Sequence, residues 1–382
     1  MFAMISKRNK IVSFVLNNFT NDNRVHKMAK SLSDAGYDVT VMALKRGDVK
    51  TREEMDGFRV RRIELKSDAL PQGKIYIMLR LLELISKTIM RSREFDIVHC
   101  NDFNPMIVSS IFKKLNPSLK IVYDTHEYAR EINGIGGIHK LFVSFVEPRV
   151  IKDADEVITV SDGIASEYKR LFGLREISVI LNAPHKQEVR AVDLFREKFS
   201  IGKTKKIFLY QGGLSKGRGI ELLIASFERL ADAKSDAVLI LMGYGDLTSM
   251  VKAAAGRLSN VHFHPAVPYN RIVDHSSSAD FGILSTENTC LNHFYCMPNK
   301  MFEYIQSGLP IITTNLNDCR KLIVKEGIGL VISEFTVDGV IETIERAMKM
   351  DPRVFDEALA AAKEKYHWDI EEKKLLTIYN RL

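Results

Sequence analysis

No apolar run in these 382 residues reaches the roughly 18 needed to cross a bilayer, so membrane-spanning helices are not expected. The opening residues, Met1 to Lys10, carry charge too early and too few apolar positions for a secretory signal. The four cysteines (Cys100, Cys290, Cys296, Cys319) include no CxxC pair. With no export signal, a reduced, cytoplasmic protein is expected. Two familiar phosphate loops are also missing. Gly202-Lys203-Thr204 resembles the end of a Walker A motif, but Glu197 stands where its first glycine belongs. Gly243-Tyr244-Gly245 begins a dinucleotide fingerprint that no third glycine completes. Neither His262-x-His264 nor His293 with Cys290 and Cys296 makes a full ligand set, so no zinc is expected. Asp153-Ala154-Asp155 reads as a helix end and strand start, not a metal-binding DxD. No nucleic-acid reading motif is present.

What is there reads as a folded protein: 46% apolar and 27% charged residues, long enough for two domains. The net charge of +7 sits wholly in residues 1–100, where Lys and Arg outnumber Asp and Glu by seven. Such a surplus suits a basic solvated face or an anionic partner, such as a membrane surface or a phosphorylated lipid.

Short β-branched runs alternate with helical patterns, which predicts parallel α/β layers. Strands are expected over 10–16, 38–44, 58–65, 96–100, 120–124, 156–160 and 177–181, with a helix over 24–35 ended by Gly36. Residues 183–205 read as a linker. A second series follows, with strands over 206–210, 237–242, 261–264, 280–284, 310–314 and 330–332, and residues 352–382 read as helical throughout. Two doubly wound domains would carry ligands at the carboxyl ends of their strands.

The run Tyr210-Gln211-Gly212-Gly213-Leu214-Ser215-Lys216-Gly217-Arg218-Gly219 joins a strand to a helix. Its glycines let backbone N–H groups approach an anion, and Lys216 and Arg218 add charge at the same place. Met297-Pro298-Asn299-Lys300-Met301-Phe302-Glu303 opens a short helix that Gly308 ends. Lys300 and Glu303 share a face three residues apart. By spacing they suit either an exposed ion pair or a lysine on phosphate beside a carboxylate on ribose hydroxyls. Residues 74–93 form an amphipathic pattern, with Arg80, Glu83, Lys87 and Arg91 opposite Ile77, Leu81, Ile85 and Ile89. That pattern suits packing on a sheet or docking on a membrane.

The glycine loop and the run 297–310 resemble the two donor-site segments of glycosyltransferase family 4, an α/β family of GT-B fold with two Rossmann-like domains. The likeness continues in Asp22-Asn23-Arg24-Val25, in Asp124-Thr125-His126-Glu127, in the strand from Ala154 to Ser161, and in the closing Trp368 and Tyr379. It implies an acceptor domain over 1–185, with helix 368–382 packing back on it, and a nucleotide-sugar domain over 195–367. The sequence departs from the family pattern at Gly213, where an arginine is common, and at Tyr295, where the first glutamate of E-x7-E is expected. Pro298-Asn299-Lys300 resembles a bacterial branch that assembles surface polysaccharides.

The resemblance implies hexosyl transfer, with retention, from a nucleotide-diphosphate sugar (UDP-linked most often) to a glycan or lipid-linked acceptor, with no metal and no cofactor beyond that cosubstrate. It assigns donor contacts to Gly212, Gly213, Lys216, Arg218, Tyr295, Asn299, Lys300 and Glu303. Arg218 and Lys300 would stabilise the leaving diphosphate, and His126 would stand at the reacting sugar. Asn21, Asp22, Arg24, Asp102 and Glu127 fall on the acceptor side, with the loops 17–24, 102–105 and 131–137. In an inverting reaction His126, Glu127 or Asp102 would serve as base. A cytoplasmic enzyme at the inner face of a membrane fits the basic first hundred residues. A sugar-nucleotide 2-epimerase and a non-catalytic subunit of the same fold are the competing readings.

Overall fold

A computed structural model describes residues 9–71, 74–131, 136–190 and 192–382, without the side chains of residues 74, 75, 77, 78, 91, 92 and 138. Most of the expected signal-free opening, most of the loop 131–137, and the side chains of Ile77 and Arg91 lie outside that description. The chain forms two compact units. The first takes residues up to Val160, Ile164–Ile180 and Glu372–Leu382; the second takes Ser161–Gly163 and Leu181–Glu371.

In the first unit the strands are β1 (Lys10–Phe14), β2 (Asp38–Leu44), β3 (Arg52–Met55), β4 (Phe58–Ile63), β5 (Ile97–Asn101), β6 (Lys120–Thr125), β7 (Glu156–Thr159) and β8 (Ser178–Val179). Their order is β3-β4-β2-β1-β5-β6-β7-β8, parallel except for the antiparallel β3–β4 pair. The order reverses between β1 and β5. Central strands are buried on both faces (Ile11, Val41, Val98, Ile121 and Ile158 are at most 1% exposed), as a parallel sheet covered by helices requires. The helices are α1 (Asn23–Asp34), α2 (Lys74–Thr88), α3 (Phe103–Leu115), α4 (Gly137–Val150) and α5 (Asp162–Phe172). In α1, Val25, Met28, Ala29 and Leu32 face the core, and Gly36 at φ 95° closes the C-terminus.

Strand β3 falls where none was expected, because its polar sequence makes an exposed edge; a two-residue Asp56-Gly57 turn with both φ positive joins it to β4. Part of the polar sector of α2 is engaged within the unit, while Lys87 is exposed. Glu83 accepts the N–H groups of Lys66 and Ser67 (both 2.8 Å), and Arg80 donates to the carbonyls of Ser67 and Leu70, so that face clasps the chain after β4. Leu79 and Leu82 are also exposed.

The second unit contains α6 (Leu194–Phe199), β9 (Lys206–Gly213), α7 (Ile220–Asp232), β10 (Ala237–Tyr244), α8 (Thr248–Arg257), β11 (Val261–Pro265), α9 (Ile272–Ser276), β12 (Phe281–Leu284), α10 (Leu291–Phe294), α11 (Asn299–Gln306), β13 (Ile311–Thr314), α12 (Asn317–Glu326), β14 (Gly329–Ile332), α13 (Val337–Lys349), α14 (Asp356–Lys365) and the start of α15 (Trp368–Tyr379). The sheet is wholly parallel, ordered β11-β10-β9-β12-β13-β14. The stretch read as a linker holds α6, whose Phe195 is fully buried against the rings of His264 and His275. The run from residue 352 is helical but broken at Tyr366 and His367, between α14 and α15. Trp368, in the second unit, is buried and donates its backbone N–H to the Pro184 carbonyl (2.7 Å). Tyr379, in the first, stacks on His99 of β5 and hydrogen-bonds it (2.7 Å).

Candidate functional site

The switch point of the second unit's sheet lies between β9 and β12, and there the two strands part after only two paired positions, Phe208 with Phe281 and Leu209 with Gly282. The phenol of Tyr304 on α11 enters the split. Its hydroxyl donates to the Leu209 carbonyl (3.0 Å) and accepts from the Gln211 N–H (3.1 Å), satisfying groups that a neighbouring strand would have bonded. Gly282 makes room: a Cβ there would lie 2.6 Å from the Tyr304 ring. The split opens a crevice at the carboxyl ends of the strands, the usual place for a ligand in an open α/β sheet.

The glycine loop forms its rim. Gly212 and Gly213 end β9 exposed, and Gly212 takes φ 117°. Gly243 packs flat on this turn, since a Cβ on it would stand 1.8 Å from the Gly212 carbonyl oxygen. The Gly-Tyr-Gly string set aside as an incomplete fingerprint thus supports the loop. The loop's far end is held by the segment after β12. Ser285 Oγ donates to the Arg218 carbonyl (2.7 Å), and Glu287 Oε1 accepts the Gly219 N–H (3.1 Å). The first amide ahead of α7 is therefore already bonded to a carboxylate, which removes it from the set of amides expected to meet a phosphate. Lys216 is exposed and Arg218 half-buried.

Helix α11 begins at Asn299, with Pro298 as its N-cap residue rather than its first helical residue. Lys300, in its first turn, lays its ammonium 3.6 Å from the centre of the Tyr210 ring and close to Gly212, where a Cβ would lie 3.3 Å from Nζ. Withdrawal from water, with the Arg218 charge nearby, pulls its pKa down to about 7 against the opposing pull of Glu303 and Cys296. Glu303, 9% exposed, accepts from Gln211 Nε2 (2.6 Å), and Gln211 Oε1 accepts in turn from Ser276 Oγ (2.5 Å). Loop and helix thus meet: Gly212, Arg218, Lys300 and Glu303 gather at one crevice.

Two expected donor residues are engaged with other parts of the second unit. The Tyr295 ring packs on the backbone of Gly163, where a Cβ would lie 2.1 Å from it, and Asn299 Oδ1 accepts from Asn182 (2.9 Å). Gln211, Tyr304 and His293 were not singled out as donor residues by the sequence. His293 is buried with Nδ1 2.9 Å from the Glu287 carbonyl; burial, together with the nearby Arg218 charge, lowers its pKa against that carbonyl's pull.

In the first unit, residues far apart in sequence converge on the buried Asp124 at the end of β6. Arg24 holds both its oxygens through Nε and Nη2 (3.1 and 2.8 Å) and donates from Nη1 to the Ile180 carbonyl (2.9 Å). His99 and His126 approach the same carboxylate at 3.3 and 3.2 Å. Arg24 is 4% exposed, so it holds Asp124 and has no open face for an acceptor. Burial opposes ionisation of Asp124, but Arg24, then His126 and His99, keep its pKa well below the usual carboxylate range. Asp102 flanks His126 from the other side, 3.6 Å from Nδ1, and accepts its backbone N–H (3.1 Å) while holding φ 72°, a strained conformation for a non-glycine residue. Burial disfavours a charged His126, yet Asp102 and Asp124 outweigh it and hold the pKa at about 9. Both neighbouring carboxylates favour the protonated imidazole of His126. Asp102 and Glu127 are exposed, as is Asn21, while Asp22 caps α1 by accepting from Val25 N–H (3.1 Å). Asp153 and Asp155 are held by Ser110 and by Lys113 and Lys120, a structural use of the DxD string.

The fold agrees with that of known proteins. The family model described as Glycosyltransferase Family 4 matches residues 22–184, and the model described as Glycosyl transferases group 1 matches residues 192–366. An uncharacterized glycosyltransferase of Methanocaldococcus jannaschii is 22% identical, over 92% of each chain. Among solved structures, sucrose-phosphate synthase of Thermosynechococcus elongatus superposes with a TM-score of 0.79 at 16% identity, covering 98% of this chain and 99% of that one. Anabaena HepE, solved with UDP and glucose, superposes at 0.76 and 16% identity, covering 98% and 100%. The fold is GT-B. The chain belongs to the glycosyltransferases of the family 4 type and is a transferase.

Proposed function

We propose that this enzyme moves a hexose, with retention, from a UDP-sugar to a glycan or lipid-linked acceptor in bacterial surface-polysaccharide or glycolipid assembly. The observation that carries the donor side is the gathering of Arg218, Lys300 and Glu303 around Gly212 at the split between β9 and β12. The two cations would neutralise the leaving diphosphate, and Glu303, fixed by Gln211, would accept ribose hydroxyls. The protonated state of His126 favours a role as hydrogen-bond donor to sugar or acceptor, and so favours retention over base-assisted inversion.

Binding an anion beside Lys300 favours its charged form, so UDP is expected to draw in a proton wherever the free lysine is partly neutral. At pH 8, calorimetric titrations in two buffers of unlike ionisation enthalpy should give different heats that reveal uptake, a difference that fades below pH 6. Glu303→Ala should weaken UDP at least about tenfold and change the affinity for inorganic pyrophosphate far less. Equal heats in both buffers, or UDP affinity indifferent to Glu303, would count against the site.

On the acceptor side the reading adds contact with the inner face of a membrane. Its support is a group of exposed apolar side chains in the first unit, Leu79 and Leu82 on α2, Met90 after it, and Leu141 and Phe145 on α4, together with the basic surplus. Among the described residues no helix is long and apolar enough to cross a membrane. Sedimentation with anionic vesicles should be salt-sensitive and fall when Leu141 and Phe145 become serine; no binding to vesicles at low salt would sink this part.

A further inference from the structure

Two cysteines meet beside the donor crevice. Cys296 lies between α10 and α11, four residues before Lys300, and Cys319 lies in the first turn of α12. Cys319 Sγ lies 3.2 Å from the Cys296 carbonyl oxygen, which sets the two thiols beside each other. Their surroundings differ. Cys319 is 1% exposed and next to Asp318, whereas Cys296 is half-buried and faces the charges of Arg218 and Lys300. The hydrogen bond from Cys319 pulls the Cys296 pKa down, with help from both cations and against burial; the same bond and burial push Cys319 up. A thiol whose ionisation is favoured, next to one whose ionisation is opposed, is the arrangement of an attacking and a resolving cysteine. Cys100 offers no such reactivity, being fully buried with its pKa pushed up to about 12 by that burial.

We propose that Cys296 and Cys319 form a reversible disulfide on exposure to a peroxide, and that donor occupancy controls the rate. The Cys296 thiolate attacks one peroxide oxygen and the O–O bond breaks; the oxygen that leaves takes a proton and becomes water. Cys319 then attacks the resulting sulfenic sulfur and the S–O bond breaks. That oxygen departs as a second water with the Cys319 proton. Two thiols lose two electrons to one peroxide. The bond ties the segment ahead of α11 to α12 and removes the anionic sulfur from beside Arg218 and Lys300. A bound diphosphate draws the same two cations, which leaves the Cys296 thiolate less favoured. The control by donor rests on the function proposed above; the disulfide does not.

The test treats reduced wild-type enzyme with equimolar hydrogen peroxide and maps the product by mass spectrometry. The expected product has lost two hydrogens, yields a linked peptide pair carrying Cys296 and Cys319, and reverts with dithiothreitol. Cys319→Ser should instead accumulate a dimedone-trappable sulfenic acid at Cys296. Saturating UDP should slow the wild-type reaction at least about tenfold. Oxidation that spares this pair, or that stops at sulfinic acid in the wild type, overturns the disulfide. UDP that binds by calorimetry yet leaves the rate unchanged overturns the control while sparing the donor site. Failure of UDP to bind at all overturns the donor reading and leaves the linked peptide to stand or fall alone.

Discussion

Replacing Arg218 with alanine is expected to lower the rate of sugar transfer by about a hundredfold or more, equivalent to about 3 kcal/mol of barrier. The side chain can be removed without disturbing its loop, because the backbone there is fixed independently by Ser285 on the Arg218 carbonyl and Glu287 on the Gly219 N–H. Removing Lys300 should have a similar effect, through an ammonium that the fold has already partly withdrawn from water. The neighbouring Lys216 is exposed, and its loss should cost far less, since an exposed charge is screened. Steady-state rates of the three alanine variants, with UDP affinity measured alongside, separate the contributions. If Lys216→Ala were the most damaging of the three, the phosphates would lie on the outer side of the loop and not in the split between β9 and β12.

Asp124→Asn should destabilise the first unit by about 3–5 kcal/mol, because it leaves the buried Arg24 guanidinium without its counter-charge. The unit would melt on the order of 10 °C lower, read as a shift of its own thermal transition, since two units need not unfold together. The pH dependence has a definite sign. Asp124 is depressed in the folded state, so its contribution is present above the unfolded carboxylate value and is lost as pH falls through the folded one. His126 is raised to about 9, so its contribution is full below about 6.5 and is lost as pH rises through about 9. In Asp124→Asn this alkaline loss should shrink, because His126 loses one of the two carboxylates that keep it charged. A melting profile between pH 6.5 and 9 that is identical in variant and wild type would refute the assignment.

Much of this was legible in the sequence, and the exceptions have physical causes. Buried parallel strands are continuous apolar runs, so most strands of both sheets could be read; the edge strand β3 could not, because Arg52–Met55 is polar and its only signal is the Asp56-Gly57 turn. Helix α6 is six residues long, fewer than two turns, and its periodicity is too short to register. The glycine loop announced itself through composition. Its supports did not: Tyr304 fills the split only because Gly282 faces it, and Glu303 is held by a glutamine whose role is invisible until β9 and α11 are brought together. The Asp124 cluster joins residues 24, 99, 124 and 126, and the sequence placed Arg24 on the acceptor side when its guanidinium is buried against Asp124 and the Ile180 carbonyl. Tertiary polar networks leave no local pattern to read.

On the proposed reading, the crevice at Gly212 grips a nucleoside diphosphate through Arg218 and Lys300. The most direct measurement of that grip is the shift in melting temperature of the wild type and of the Arg218→Ala, Lys300→Ala double variant across a UDP titration. Saturable stabilisation of the wild type is expected, about 2.7 kcal/mol at a hundred times Kd, and almost none in the variant at the same concentrations. Equal stabilisation of both proteins would contradict it.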